Sequence, residues 1–265
     1  MPIHSTDISL SLQGASSEIA VITLNRPTKR NALNDGLILA IRDMFQAMPH
    51  GVRAAVIHGS GDHFCAGLDL SELSERDAGQ GLHHSRMWHS ALECVQYGPV
   101  PVVAALHGAV VGGGLELAST CHIRVADESA FFALPEGSRG IFVGGGGSVR
   151  IPRLIGAGRV VEMMLTGRAM NVSEAQQLGL AHYTVPEGQG LAKALELART
   201  IVKNAPATNY AVINGISRIG EMSMGEGFFA ETMVTAMTRS AGIDASQRIN
   251  AFFEGRRERA GTTGE

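Results

Sequence analysis

The stretch Pro101-Val-Val-Ala-Ala-Leu-His-Gly-Ala-Val-Val-Gly-Gly-Gly-Leu-Glu-Leu-Ala-Ser-Thr120 decides the fold class. Pro101 to Leu106 is a short apolar run with the length and β-branching of a buried strand. The triplet Gly112-Gly113-Gly114 then opens an apolar helical segment reaching about Thr120, and His122 to Ala126 reads as the next strand. Strand, glycine turn, helix, strand is the signature of an α/β protein.

The pattern extends in both directions. Ile19 to Leu24 is a β-rich run ended by Asn25-Arg26-Pro27. Asn34 precedes a helix with Leu37, Ile41, Met44, Phe45 and Met48 on one face, stopped by Pro49. Ala54 to His58 is another buried strand, emptying into the loop Gly59 to Gly67. Residues from about 82 to 97 are helical up to Gly98-Pro99, and a second glycine cluster stands at Gly144 to Gly147. Downstream the chain is mostly helical. Ser173-Glu-Ala-Gln176 matches a capping box and Gly179 stops that helix. Leu191 to Asn204, Pro206 to Ile219 and two later segments follow. The expected division is a core over 1–200 and a C-terminal helical region over 201–265.

Composition narrows the class. Of 265 residues, 33 are glycine, but 45% are hydrophobic and no Gly-X-Y period exists, so the glycines sit in a packed protein rather than a fibre or linker. Lys+Arg number 22 against 25 Asp+Glu, with no basic stripe, so no nucleic-acid partner is expected. The densest charge run, Glu254 to Arg259, reads as a solvated helix end. Cys65, Cys94 and Cys121 form no CxxC and an odd count, which suits a reducing compartment. Met1 to Leu12 has no signal-peptide pattern, and Val100 to Val111 is too short to span a bilayer. A soluble, cytoplasmic protein without membrane partners is expected.

Common constellations fail. Gly59-Ser-Gly61 and Gly156-Ala-Gly158 meet Phe64 and Val161 where a dinucleotide fingerprint needs glycine. No P-loop, G-x-S-x-G or H-E-x-x-H occurs. His83, His84 and His89 lack metal-ligand spacing and read as a partly exposed helix face; no metal site is expected. Met163-Met164 and Met222/Met224 suit core or subunit contacts.

Two junctions remain: Phe64-Cys-Ala-Gly-Leu-Asp-Leu70 and Val110-Val-Gly-Gly-Gly-Leu-Glu-Leu117. Each can aim a free backbone N–H at a ligand, the second from the first turn of a helix. Together they can form an oxyanion hole. Glu116 lies three residues after Gly113, near the face of that N–H. Glu136, in Leu134-Pro-Glu-Gly137, is a second acid. Two carboxylates sharing one water can divide proton uptake and delivery. The residues alone equally allow a helix N-terminal charge and a loop acid.

The ordered set of motifs resembles the crotonase superfamily, the enoyl-CoA hydratases and isomerases. It comprises Asn25-Arg-Pro-x-x-x-Asn31-Ala-Leu33, Phe64-x-Ala-Gly-x-Asp-Leu70, Gly108-x-x-x-Gly-Gly-Gly-x-Glu-Leu117 and Pro135-Glu136. Leu154-Ile-Gly, Met164-Leu-Thr-Gly167 and Ala175-x-x-x-Gly-Leu180 extend it, so that it covers about Ile8 to Arg259. The resemblance implies a spiral core of β-β-α turns with a C-terminal helical trimerisation region. It also implies trimers, often paired as hexamers.

By the same resemblance, the N–H groups of Leu68 and Gly113 hold the oxygen of an acyl-CoA thioester, each such donor being worth about 3 kcal/mol. Glu116 activates the water that attacks C3, and Glu136 protonates C2. The CoA and substrate contacts implied are Arg30, Ala32, Ala66 and Gly67, with Leu70 and Gly112. Pro135, Gly140 and Arg257 complete that set. Cys65 is a filler and Asp69 a structural acid. Coenzyme A enters as part of the substrate, and no separate cofactor is implied.

With both glutamates present, hydration of a 2-enoyl-CoA is the first reading. An enoyl-CoA isomerase, another acyl-CoA lyase or hydrolase, and a non-catalytic acyl-CoA- or RNA-binding relative stay open. A third acid that some dienoyl-CoA isomerases carry would fall at Gly144, which argues against that branch. Val143 stands where a proline is usual, and Phe253-Glu-Gly-Arg-Arg257 lacks its usual following proline. The first departure borders the acyl pocket, so acyl preference is open, including branched, cyclic or aromatic chains.

Overall fold

The computed structural model describes residues 6–72 and 77–240. They divide into two compact units with the boundary between Val202 and Lys203.

The first unit opens with β1 (Ile8–Gln13) and β2 (Ile19–Leu24), then α1 (Asp35–Gln46), β3 (Ala54–Gly59) and α2 (Ala78–Gln96). Next come β4 (Val102–Leu106), β5 (Ala109–Val111), α3 (Gly113–Thr120), β6 (Ile123–Asp127) and β7 (Phe131–Ala133). It closes with α4 (Gly147–Ile155), α5 (Ala157–Thr166), β8 (Met170–Asn171), α6 (Val172–Gln177), β9 (Tyr183–Val185) and α7 (Gly190–Ile201).

One sheet runs in the order β1-β2-β3-β4-β6-β9, parallel except for the β1–β2 pair. Its central strands are apolar on both faces, as parallel strands covered on both sides must be. Alternate residues sort into two cores. Ile22, Ile57, Ala104 and Leu106 face the larger core with Leu37, Ile41 and Phe45 of α1. Val21, Val56, Val103 and Val125 face the smaller one, closed by Ala194 and Ala198 of α7. A second sheet, β5-β7-β8, starts where the chain leaves β4 at Gly108.

Asn34 caps α1 as expected, its side chain accepting from Leu37 N–H at 2.8 Å. The strand expected from His122 starts one residue later, because the His122 ring is used to accept the Val102 N–H at 2.9 Å. Helix α2 begins at Ala78 rather than about residue 82, because Asp77 and Gln80 form a reciprocal capping box. The box expected at Ser173 is absent: Asn171 caps α6 by accepting from Glu174 N–H, which leaves Ser173 inside the helix.

The second unit contains α8 (Pro206–Ile219) and α9 (Met224–Ser240), packed on each other. The second late helical segment and Arg257 lie outside the described residues.

Candidate active site

The loop Phe64 to Leu68 is pinned along both edges. On one edge Cys65 bridges Val110: Cys65 N–H donates to the Ala109 carbonyl at 2.9 Å, and Val111 N–H to the Cys65 carbonyl at 3.1 Å. On the other edge Ala66 N–H donates to Arg30 at 3.0 Å, Leu33 N–H to Gly67 at 2.7 Å and Asp69 N–H to Leu33 at 2.8 Å. The amides around Leu68 are thereby spent, while Leu68 N–H donates to no acceptor among the described residues. Gly113 N–H, at the first position of α3, also lacks an acceptor there, as the first turn of a helix dictates.

The two unspent donors converge. A Cβ on Gly113 would lie 3.6 Å from the Leu68 nitrogen, and one on Gly67 would lie 3.3 Å from the Gly113 nitrogen. Gly67 has φ +94°, and a side chain there would stand 2.7 Å from the Val111 carbonyl. Only glycine brings the two junctions this close.

The frame behind them is polar and buried. Arg26 binds Asp69 at 2.9 Å and the Ala32 carbonyl at 2.6 Å. Hydrogen bonds from Ser71, then Arg26, hold the Asp69 carboxyl below its ordinary value. Burial pushes the Cys65 thiol up to about 12, which leaves no thiolate for nucleophilic work.

Glu116 leaves the first turn of α3 and is 3% exposed. Its Oε1 accepts Gly145 N–H at 2.8 Å and Gly147 N–H at 2.7 Å. The glycine run is therefore the cradle of this carboxyl. Burial raises the Glu116 pKa; the two amides oppose the shift, the Glu136 charge adds to it and Arg150 opposes it. A Cβ on Gly147 would stand 2.9 Å from both Cγ and Oε1 of Glu116. Gly147→Ala is expected to displace that carboxyl and lower turnover about 10–100-fold, since ångström misplacement costs that order. Steady-state kinetics beside a melting curve check it.

Glu136 follows Pro135 at the start of a short 3-10 turn, Gly137–Arg139, with its side chain buried. Its Oε2 is buried without a hydrogen-bond partner among the described residues. Burial raises its pKa, opposed by its own backbone amide and the Arg139 charge. The two carboxyls thus differ in kind. Glu116 is held by two N–H donors that favour its charged form, whereas Glu136 has an oxygen with no donor among the described residues.

Both acids line one cavity of about 420 Å³ with Leu68 and Gly113. Ile141, Phe142 and Val143 form an apolar wall, and His84, Ser85 and Trp88 of α2 form another. Of the residues singled out in the sequence, Glu116, Glu136, Leu68 and Gly113 come together, and Gly67 and Gly112 lie directly behind them. Arg30 is exposed with a left-handed backbone, beside buried Ala32 and half-buried Ala66. Leu70 and Gly140 are exposed and Pro135 is half-buried; none of the three lines the cavity.

His84 lies on a partly exposed helix face, as the sequence suggests, and its ring also lines the cavity. Asp35, in the first turn of α1, draws it there by a 2.7 Å contact with Nε2 and also accepts the Trp88 indole N–H at 3.1 Å. The available signal was the spacing of His84 and Trp88, four residues apart on one face. Their acceptor comes from a helix about 50 residues away, which no local pattern shows. Among the described residues no group of side chains could hold a metal ion, and no helix is long and apolar enough to cross a membrane.

The sequence model of the enoyl-CoA hydratase/isomerase family matches residues 14–259. The chain belongs to this family. An enoyl-CoA hydratase of Mycobacterium tuberculosis is 33% identical over 89% of this chain and 90% of its own. The 2,3-dehydroadipyl-CoA hydratase of Escherichia coli is 32% identical over 90% and 93%. A solved structure from Rhodopseudomonas palustris with a provisional enoyl-CoA hydratase name superimposes with TM-score 0.90 at 50% identity, covering 96% of each chain. The mixed α/β architecture is therefore the crotonase fold of this enoyl-CoA hydratase/isomerase family, and its members act on acyl-CoA thioesters.

Proposed function

We propose that this chain is an enoyl-CoA hydratase. One observation carries the reading. Two buried glutamates with unlike hydrogen bonding stand on the wall of a cavity that also holds two unspent backbone donors.

In this mechanism the thioester oxygen accepts from Leu68 and Gly113 N–H, which draws electron density from C3. Glu116, whose two amides oppose the rise that burial imposes on its pKa, takes a proton from water as the water oxygen bonds to C3. The resulting enolate is held by the same two donors. Glu136, whose pKa burial raises and whose Oε2 has no donor among the described residues, delivers its proton to C2. The net change is one water added across C2=C3. Arg30 and Ala32 are assigned to CoA with Ala66, whose N–H donates to the Arg30 carbonyl, and Gly67, Leu70, Gly112, Pro135 and Gly140 are assigned as backbone neighbours. Arg257 is assigned to the nucleotide end. No cofactor beyond the CoA carried by the substrate takes part, and the enzyme is assigned to the cytoplasm.

Loss of the conjugated-thioester absorbance over a panel of 2-enoyl-CoAs tests the reading. No absorbance loss with any chain length overturns it. The second reading, an enoyl-CoA isomerase, is favoured by the buried Glu136 carboxyl, whose raised pKa suits a group that shuttles one proton alone. It predicts conversion of a 3-enoyl-CoA with no mass gained.

The pH profile follows from the two shifts. A base with a raised pKa loses activity as pH falls through that value; an acid with a raised pKa loses activity as pH rises through its own. Both limbs of kcat/KM are therefore expected above the ordinary glutamate value of 4.5, and they belong to the coupled pair. A low-pH limb at or below that value contradicts this assignment.

We assign a homotrimer, or two stacked trimers, as the working assembly. Among the described residues, Tyr210, Ile216, Phe228, Phe229 and Met233 on α8 and α9 supply exposed apolar surface. Sedimentation as a monomer at micromolar concentration would contradict it.

A further inference from the structure

We propose that His84, oriented by Asp35, selects an acyl chain that carries a neutral hydroxyl. The proposal rests on the reading of the cavity as the acyl site and names its substrate class.

The cavity wall is apolar around Ile141, Phe142 and Val143. Apart from the two glutamates, its polar side chains come from α2. Ser85 is committed: its hydroxyl donates to the Gly144 carbonyl at 2.6 Å, tying α2 to the glycine run. Trp88 is committed through its indole N–H to Asp35. His84 differs. Asp35 contacts Nε2, and a carboxylate only accepts, so Nε2 carries a proton. Nδ1 has no hydrogen-bond partner among the described residues. The carboxylate fixes the ring while the second nitrogen remains for a ligand.

The wall also states what that ligand is not. Among the described residues no lysine or arginine lines the cavity, whereas Glu116, the anion of the proposed mechanism, does. A carboxylate at the chain tip would meet that like charge, with Arg139 and Arg150 acting only from outside the lining. A hydroxyl can donate to a neutral Nδ1 or accept from a protonated one, so it satisfies this nitrogen in either state. An alkyl tip would leave Nδ1 dehydrated and unpaired.

The experiment compares three 2-enoyl-CoAs of equal length, tipped with methyl, hydroxyl or carboxylate. The wild type is expected to favour the hydroxyl chain over methyl by at least about tenfold in kcat/KM, and the carboxylate least. His84→Leu should erase that ratio while the methyl chain keeps its kcat, so a folding defect, which lowers both, is told apart. Asp35→Ala tests the positioning role: the hydroxyl chain's KM should rise with little change in kcat. Trp88 is the chain's single tryptophan, so its emission should shift in Asp35→Ala and report saturated hydroxyacyl-CoA binding directly. An unchanged hydroxyl-to-methyl ratio in His84→Leu overturns the selection and leaves hydration standing. Failure of the wild type on all three chains overturns both.

Discussion

Glu116→Gln and Glu136→Gln are each expected to lower hydration kcat by about 10²–10⁴-fold, the usual contribution of a positioned acid or base. The substitutions preserve volume but remove titration. At Glu116 the remaining amide oxygen can still accept Gly145 and Gly147 N–H, so the glycine run stays in place while the base is lost. At Glu136 the amide oxygen of glutamine can still accept the residue's own backbone N–H, and the Oε2 that it replaces has no partner among the described residues. Both variants should therefore melt close to the wild type. The double variant should fall little below the worse single one, because base and acid serve one step. Kinetics on an enoyl-CoA with melting curves check this. Full activity in both single variants would remove the mechanism.

Gly67→Ala has the second largest expected effect, on stability and activity together. A residue with φ +94° pays about 1–3 kcal/mol for that conformation. The new Cβ also meets the Val111 carbonyl at 2.7 Å, so the loop must move away from β5. Movement separates the Leu68 and Gly113 donors, and losing one oxyanion donor costs about 10²–10³-fold in kcat. A lowered melting temperature with loss of turnover is expected. Gly51→Ala, at an exposed glycine of φ +92° with nothing near its Cβ position, controls for positive φ alone: it should cost stability without comparable loss of turnover.

Much of this arrangement was legible in the chain, for identifiable reasons. The two glycine junctions were visible because each follows a buried strand, and at the second the Gly112–Gly114 triplet leaves helix-start amides unspent. Glu116 was visible because three residues from Gly113 is a helical repeat. The cradle role of Gly145 and Gly147 was not, because it is a contact across about 30 residues between backbone and a side chain. His84 and Asp35 escaped for the same reason. The Ser173 box failed because Asn171 sits two residues earlier and competes for the same helix start. Strands β5, β7 and β8 are two or three residues long, too short for alternation to register.

The most direct test of the central claim is the product mass after a 2-enoyl-CoA is incubated with the enzyme in heavy-oxygen water. The account predicts a 3-hydroxyacyl-CoA heavier than the substrate by one water bearing the heavy oxygen. A product of unchanged mass, or label that never enters the acyl chain, would contradict it.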